Sequence, residues 1–359
     1  MAYVLGGLNN ESDGFTFAIA NFALRAMHES TGLVNYTTVV APNQGNQYLV
    51  PLFAPITYAD YNPAGAGGTT GFGNANVQNP ALGQQTITAS PTVAATGFDI
   101  FYAWTTSFEL AATLGQELGE SYGEKVDQRV CAAFVGDGGV TSGFKATPAN
   151  TNYAASADGF TRPSALGAME LIADAQTSGT WTNGFTSNTV LGLIRNVKQN
   201  YKVARLPGTP VIVLDSNGNS ATVVGPPASA LSGSTMNRLL GELTGGAVNN
   251  NTYGGGSALS ALGNELLSTG AIDNIYGCRV VFTTFLDSDT RTVVGAAGQI
   301  VLVGAYFHDS ALVTVLKEGL QIKMGEQPSG LQMWVTGVAY MGAGVADPRR
   351  GGAINILQA

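Results

Sequence analysis

Charge is scarce in this chain. Only 11% of its 359 residues are Asp, Glu, Lys or Arg, where an ordinary soluble domain carries about 25%. No Lys or Arg occurs between Arg25 and Lys125, and from Ala41 to Thr96 the single charged residue is Asp60. Disorder is not the explanation, because disordered chains are poor in apolar residues and rich in charge, and hydrophobic residues make up 45% here. The chain folds, yet it has few charges to keep a lone monomer soluble. Much of its surface is therefore expected to be covered by other subunits. The net charge of -8 argues against a sequence-independent grip on DNA, which needs clustered Lys and Arg.

Other absences exclude chemistry. The two cysteines, Cys131 and Cys278, lie far apart and outside any CxxC pair. A disulfide stays open, but two buried thiols in a reducing compartment are the expectation. The opening Met1 to Gly6 lacks the basic region and apolar core of a secretory signal. No run approaches the ~20 apolar residues of a membrane span, so no membrane partner is expected. There is no Gly-Lys pair for a phosphate loop and no GxSxG elbow. Gly136-Asp137-Gly138-Gly139 follows a predicted helix rather than a strand, which fits a helix stop and not a dinucleotide turn.

The histidines are His28 and His308. His308-Asp309-Ser310 carries the residue types of a hydrolase triad, but consecutive residues cannot orient one another; a helix start at Asp309 or Ser310 is the plainer reading. Asp215 to Asn219 resembles the opening of a calcium loop, but its twelfth position is Pro226 where a bidentate Glu is needed, so a hairpin turn is expected. Asp287-Ser288-Asp289 reads as a solvated loop, with a cation at a subunit junction as the lesser alternative. Trp104, Trp181 and Trp334 lack basic neighbours for base stacking and read as core or interface anchors. No catalytic, cofactor or metal residue is expected, and no enzyme.

What is present is a run of architecturally distinct parts. Residues 15–29 have the apolar stripe of an amphipathic helix, with Phe15, Ile19 and Phe22 on it and Arg25 off it. From Ala41 to Thr96 the chain is rich in Gly, Pro, Asn, Gln and Thr. Gln47 to Tyr58 and Gln84 to Ala89 read as extended, around a Gly/Pro-rich tip at 62–68. Such a two-stranded excursion is marginal alone and is expected to lie on a neighbour. Over 105–135, Phe108, Ala111, Leu114, Leu118, Tyr122, Val126, Val130 and Phe134 step by three or four, predicting one long helix. Gly115, Gly119 and Gly123 cost about 1 kcal/mol each there, and their four-residue spacing suits close approach of another backbone.

Beyond the long helix, helices are predicted over 164–177, 189–201, 235–243 and 258–268. Strands are predicted at Pro210 to Leu214, at Ala221 to Val224 after an Asn217-Gly218 turn, and at Cys278 to Leu286. The C-terminal part reads as a strand from Ile300 to Phe307, a short helical segment from His308 to Leu316, and alternation at Leu320, Ile322 and Met324. A turn at Pro328-Ser329-Gly330 and strands from Leu331 to Met341 and Ala353 to Leu357 follow. Arg349-Arg350 is the densest basic spot; an intersubunit ion pair and a solvated turn weigh equally.

This order of parts resembles the tailed-phage major capsid proteins of the HK97-like fold, an α+β fold. The resemblance rests on the passage from Phe98 to Phe134, on Gly304 to Leu312, and on Gly337 to Val345. It implies an N-arm (1–40), an E-loop (41–96), a discontinuous P-domain with a spine helix (97–160 and 295–359), and an α/β A-domain (161–294). It further implies self-assembly into pentamers and hexamers of an icosahedral head around double-stranded DNA, in the virion and, during assembly, the host cytoplasm. A portal protein, a separate scaffolding protein and a cement protein are the implied partners. The E-loop has no Lys, so an isopeptide weld through it is not expected. Candidate contact residues are Arg25, Tyr48, Phe53, Tyr58, Tyr61, Phe72, Arg349 and Arg350. An encapsulin-like nanocompartment shell and a surface-layer or adhesin protein are the alternatives.

Overall fold

The computed structural model describes residues 19, 22–23, 32–53, 82–99, 107–137, 141–144, 153–154, 161–162, 166–171, 186–187, 189–203, 206–216, 235–244, 271–293, 296–327 and 332–357. In chain order it forms β1 (Thr38–Val40), β2 (Gln47–Phe53), β3 (Leu82–Thr88) and β4 (Ser90–Asp99), then helix α1 (Ser107–Val135). The two-residue strands β5 (Gly136–Asp137), β6 (Thr141–Ser142), β7 (Tyr153–Ala154) and β8 (Thr161–Arg162) follow. Next come β9 (Met169–Leu171), β10 (Thr186–Ser187), α2 (Val190–Val203), β11 (Val211–Asp215) and α3 (Thr235–Thr244). The chain ends through β12 (Ala271–Ile275), β13 (Cys278–Thr283), β14 (Ser288–Val293), β15 (Ala296–Phe307), β16 (Leu312–Gln327), β17 (Gln332–Val345) and β18 (Gly351–Leu357).

The four-residue row read from the sequence becomes α1, whose 29 residues span roughly 44 Å at 1.5 Å each. Its two halves enter different cores. Leu118 packs with Ile19 and Val335, and Tyr122 and Val126 pack with Ala339 and Met341. Val130, Cys131, Ala133 and Phe134 belong instead to the largest core. There Phe134, Phe144 and Phe307 bring their ring centroids to 6.0–6.3 Å of one another, within the range favoured by aromatic pairs.

The first half of α1 lies on a four-stranded sheet ordered β1-β16-β17-β4. β16 and β17 form a long antiparallel pair, and β4 adds ten antiparallel residue pairs along β17. The second half faces an eight-stranded mixed sheet, β10-β9-β18-β15-β11-β13-β12, with β14 also on β15. Every residue of β18 is buried, the pattern of a strand covered on both faces. α2 packs beside β9 and α3 beside β11. Glu242 of α3 accepts the first two amides of α2, Val190 N–H at 2.8 Å and Leu191 N–H at 2.7 Å, so an anion sits on that helix's positive end. Cys131 and Cys278 are free and buried; burial pushes both thiols up, Cys278 to about 11.

Several expectations change. The helix over 164–177 is instead coil at 166–168 and strand β9, with Leu166, Ala168, Met169 and Leu171 fully buried. A short apolar run does not distinguish strand from helix by spacing; parallel neighbours on both sides, β10 and β18, decide it. The helical segment over His308 to Leu316 shrinks to one 3-10 turn, Asp309–Ala311. From Leu312 the β-branched run Val313-Thr314-Val315 favours extended chain and opens β16. Of the loop expected at Asp287 to Asp289, Ser288 and Asp289 are instead the first residues of β14. The boundary expected at residue 295 does not coincide with a sheet boundary, because β15 and β18 are inner strands of the eight-stranded sheet. Asn217-Gly218, Ala221 to Val224, the helix over 258–268 and the Pro328 turn lie outside the described residues.

Ile354 sits fully buried in β18, paired with Gly304 on one side and Met169 on the other. Ile354→Ala is expected to cost about 2–5 kcal/mol, read as a lowered urea midpoint with an unchanged denaturant slope.

Candidate assembly surfaces

The N-terminal segment is fastened to α1. Ile19 and Ala23 are fully buried. A side chain on Gly119 would run into the Ala23 carbonyl, and one on Gly115 into the Ile19 carbonyl. Gly115 and Gly119 thus supply the close approach their spacing suggested. Further on, Asp127 of α1 takes the Gly32 amide on Oδ2 and the Leu33 amide on Oδ1, each at 3.2 Å. These amides open the 3-10 turn Val34–Tyr36, so a carboxylate from a distant helix caps it. Asp127 is 5% exposed. Burial raises its carboxyl to about 6, while the Gly32, Leu33 and Val34 amides pull the other way. Sequence reading missed this anchor; its signal was Asp127 standing directly beside Val126 of the apolar row. Arg25 lies outside the described residues.

The predicted excursion begins as an antiparallel pair, β2 on β3, from Gln47↔Thr88 to Phe53↔Leu82. Its base rests on the body: Ile87 and Ala89 are fully buried with Val313, Val315 and Ala346, and Tyr48 and Val50 pack against them. Gly342 of β17 has the Thr88 carbonyl where a side chain would project. Asn43 squares the entry, accepting Leu49 N–H at 2.9 Å and donating to the Leu49 carbonyl at 3.2 Å. Tyr48 is therefore turned toward its own chain's core. The side chain of Phe53, and Tyr58, Tyr61 and Phe72 entirely, lie outside the described residues.

The four-stranded sheet turns Val335, Ala339 and Met341 toward α1. Its opposite face shows Val93, 61% exposed, and Trp334, 40% exposed. The Trp334 ring lies over Gly97, its partner across the ladder. β4 pairs with β17 alone among the described strands. A ten-residue edge of this kind can take up another strand, with one backbone donor removed by Pro91.

Two chain crossings link the sheets, His308 to Ala311 between β15 and β16, and Ala346 to Arg350 between β17 and β18. They are tied side by side: His308 N–H donates to the Arg350 carbonyl at 2.9 Å, and Ala346 N–H to the Ala311 carbonyl at 2.8 Å. Arg349 meets Asp347 through Nε and Nη2, both at 2.8 Å. Arg350 lies 3.5 Å from the same carboxylate and donates to Ser310 Oγ at 2.7 Å. Both arginines are thus held within the chain, on a carboxylate 7% exposed. At Asp287-Ser288-Asp289, where a cation is the lesser alternative to a solvated loop, Asp289 Oδ2 accepts Arg291 Nε at 2.9 Å, and Arg291 also donates to buried Asn355 at 2.8 Å.

His308 Nδ1 accepts the Ser310 amide at 3.2 Å and meets Ser310 Oγ at 2.9 Å. The other imidazole edge is closed by Gly208, and Arg350 donates onto the hydroxyl. The group caps a turn. Beside it opens a cleft of about 370 Å³ between this crossing and the β12–β13 hairpin.

The fold is matched among solved structures. The capsid of the cyanophage P-SCSP1u aligns over 92% of this chain and 89% of its own, with TM-score 0.55 and 16% identity. The capsid of an empty GTA particle aligns over 91% and 90%, with TM-score 0.52 and 11% identity. The mature capsid of bacteriophage PhiM1 aligns over 91% and 87%, with TM-score 0.50 and 13% identity. No protein-family model matches the sequence, and no curated protein does. The chain has the fold of these capsid proteins, the HK97-like fold its sequence resembles.

The unfolded chain titrates Asp127 near its ordinary value, about 3.9. Between there and about 6 the folded chain binds that proton more tightly. The stability this group contributes is therefore present at low pH and lost as pH rises through about 6. Asp127→Asn removes the titration, so its urea midpoint relative to the parent is expected to climb from pH 4 to pH 7. A relative midpoint that falls over that range would show the backbone amides outweighing burial.

Proposed function

We propose that this chain is the major capsid protein of a tailed phage, building an icosahedral head of pentamers and hexamers around double-stranded DNA. The observation that carries this reading is the alignment over about nine-tenths of the chain with the cyanophage and PhiM1 capsids. The work is mechanical: copies meet head to tail and close around local axes. No step of it requires a catalytic residue, a cofactor or a metal.

Physical features support the assignment. A body with 11% charged residues leaves much surface suited to contact with itself. The pair β2–β3 projects from a buried base, as an E-loop that lies on a neighbour does. Residues up to Val40 serve as N-arm, α1 as the spine, and the four-stranded sheet as the P-domain's long sheet. The eight-stranded sheet with α2 and α3 forms the A-domain, and takes up β15 and β18. Scaffolding and portal proteins are the assembly partners, with a cement protein as a further one. The finished protein resides in the virion, and in the host cytoplasm while it assembles. The likeness to the GTA capsid fits the same shell around a different delivery.

Expression alone and with a scaffolding protein, followed by electron microscopy, tests the reading; closed particles are expected. Deleting residues 60–75 should leave the circular dichroism of the folded subunit intact and abolish closed shells. Normal particles from that variant would remove the excursion from the mechanism.

A further inference from the structure

The β12–β13 hairpin turns on Tyr276 and Gly277, with φ of +51° and +75°. Asn274 Oδ1 accepts Gly277 N–H at 3.0 Å and closes the turn. Left-handed backbone at both central positions is the type I′ hairpin, for which Asn-Gly is favoured. A bulky aromatic at the first position is an outlier; among the described residues Tyr276 is the one non-glycine with positive φ. Its side chain is 60% exposed, so folding gains little from burying the ring. Strained backbone and an unburied aromatic together suggest a contact made after folding.

The cleft beside the same hairpin offers a matching hole. Its walls include Gly208, Asp273, Gly277, Arg279, His308 and Asp309. At about 370 Å³ it falls in the range, roughly 300–1,000 Å³, of pockets that enclose a small ligand, and it is ample for one aromatic side chain. The Arg279 guanidinium lies 5.3 Å from the Tyr36 ring centroid. A planar guanidinium has two faces, and Tyr36 takes one. Arg279 Nε is 3.2 Å from Asp273 Oδ1, but out of line, so the N–H has no hydrogen-bond acceptor. Asp309, whose side chain is exposed, also lines the cleft, and a carboxylate can accept a phenolic O–H.

We propose that in the shell Tyr276 of one copy inserts into this cleft on the next copy. Its ring stacks on the second face of Arg279 and its hydroxyl donates to a cleft carboxylate. This rests on the self-assembling reading above. Asn274 and Gly277 line the cleft while Tyr276 stands in solvent, so one chain does not fill its own hole. A head-to-tail contact fills it, and repetition closes a ring.

Tyr276→Asn separates folding from assembly, because Asn suits the left-handed position. The variant subunit is expected to melt at a higher temperature than the parent, yet to need a roughly tenfold higher concentration before particles appear by light scattering. A second variant, Tyr276→Cys with Thr209→Cys, should give intersubunit disulfide ladders on a non-reducing gel of assembled particles. Parent-like assembly by Tyr276→Asn, or particles of the double variant without ladders, overturns the inference. A parent chain that forms no particles in any condition overturns the shell reading itself, a separate result.

Discussion

Everything in this molecule hangs on one helix buried in two places at once. The row from Leu114 to Phe134 is continuous in the sequence, but its partners are not. Leu118 and Tyr122 meet the long four-stranded sheet, and Val130 and Phe134 meet the eight-stranded one. The apolar stripe on α1 joins them into one body, and the glycines on a neighbouring stripe admit the N-terminal segment. A helix this long without both sheets would present more apolar surface than one partner could cover.

The parts that were legible in the sequence are those whose signal is local. The α1 row, the α2 and α3 stripes, the apolar run at Val211 and the extended chain at Gln47 each carry their own period. The failures are short buried runs. Leu166 to Leu171 has no period that separates helix from strand, and only its place between β10 and β18 settles it. Val313-Thr314-Val315 was obscured by His308-Asp309-Ser310, a true turn start that does not continue into a helix. Sheet membership was not legible: β15 pairs with its neighbour β14 but also with the distant β11, and β18 lies between β15 and the distant β9. Among contact candidates, residue type alone could not show that Tyr48 packs inward, or that Asp347 already occupies Arg349 and Arg350. Tyr276 escaped notice because its peculiarity lies in backbone angle, which composition does not encode.

Scarcity of charge takes a specific form in three dimensions. Several of the described charges are engaged within the chain: Asp127 with backbone amides, Glu242 with a helix end, Asp347 with two arginines, Asp289 with a buried one. The face around Val93 and Trp334 carries exposed apolar side chains beside the exposed Lys323.

The paired crossings at His308–Ala311 and Ala346–Arg350 have a mechanical consequence. Two cords bound together would by themselves act as a door hinge, stiff to torsion but free to swing. The long helix grips both leaves of that door and takes the swing away. What remains is a frame fastened at three places, the two crossings and α1, in which turning one sheet against the other would have to unpack the helix.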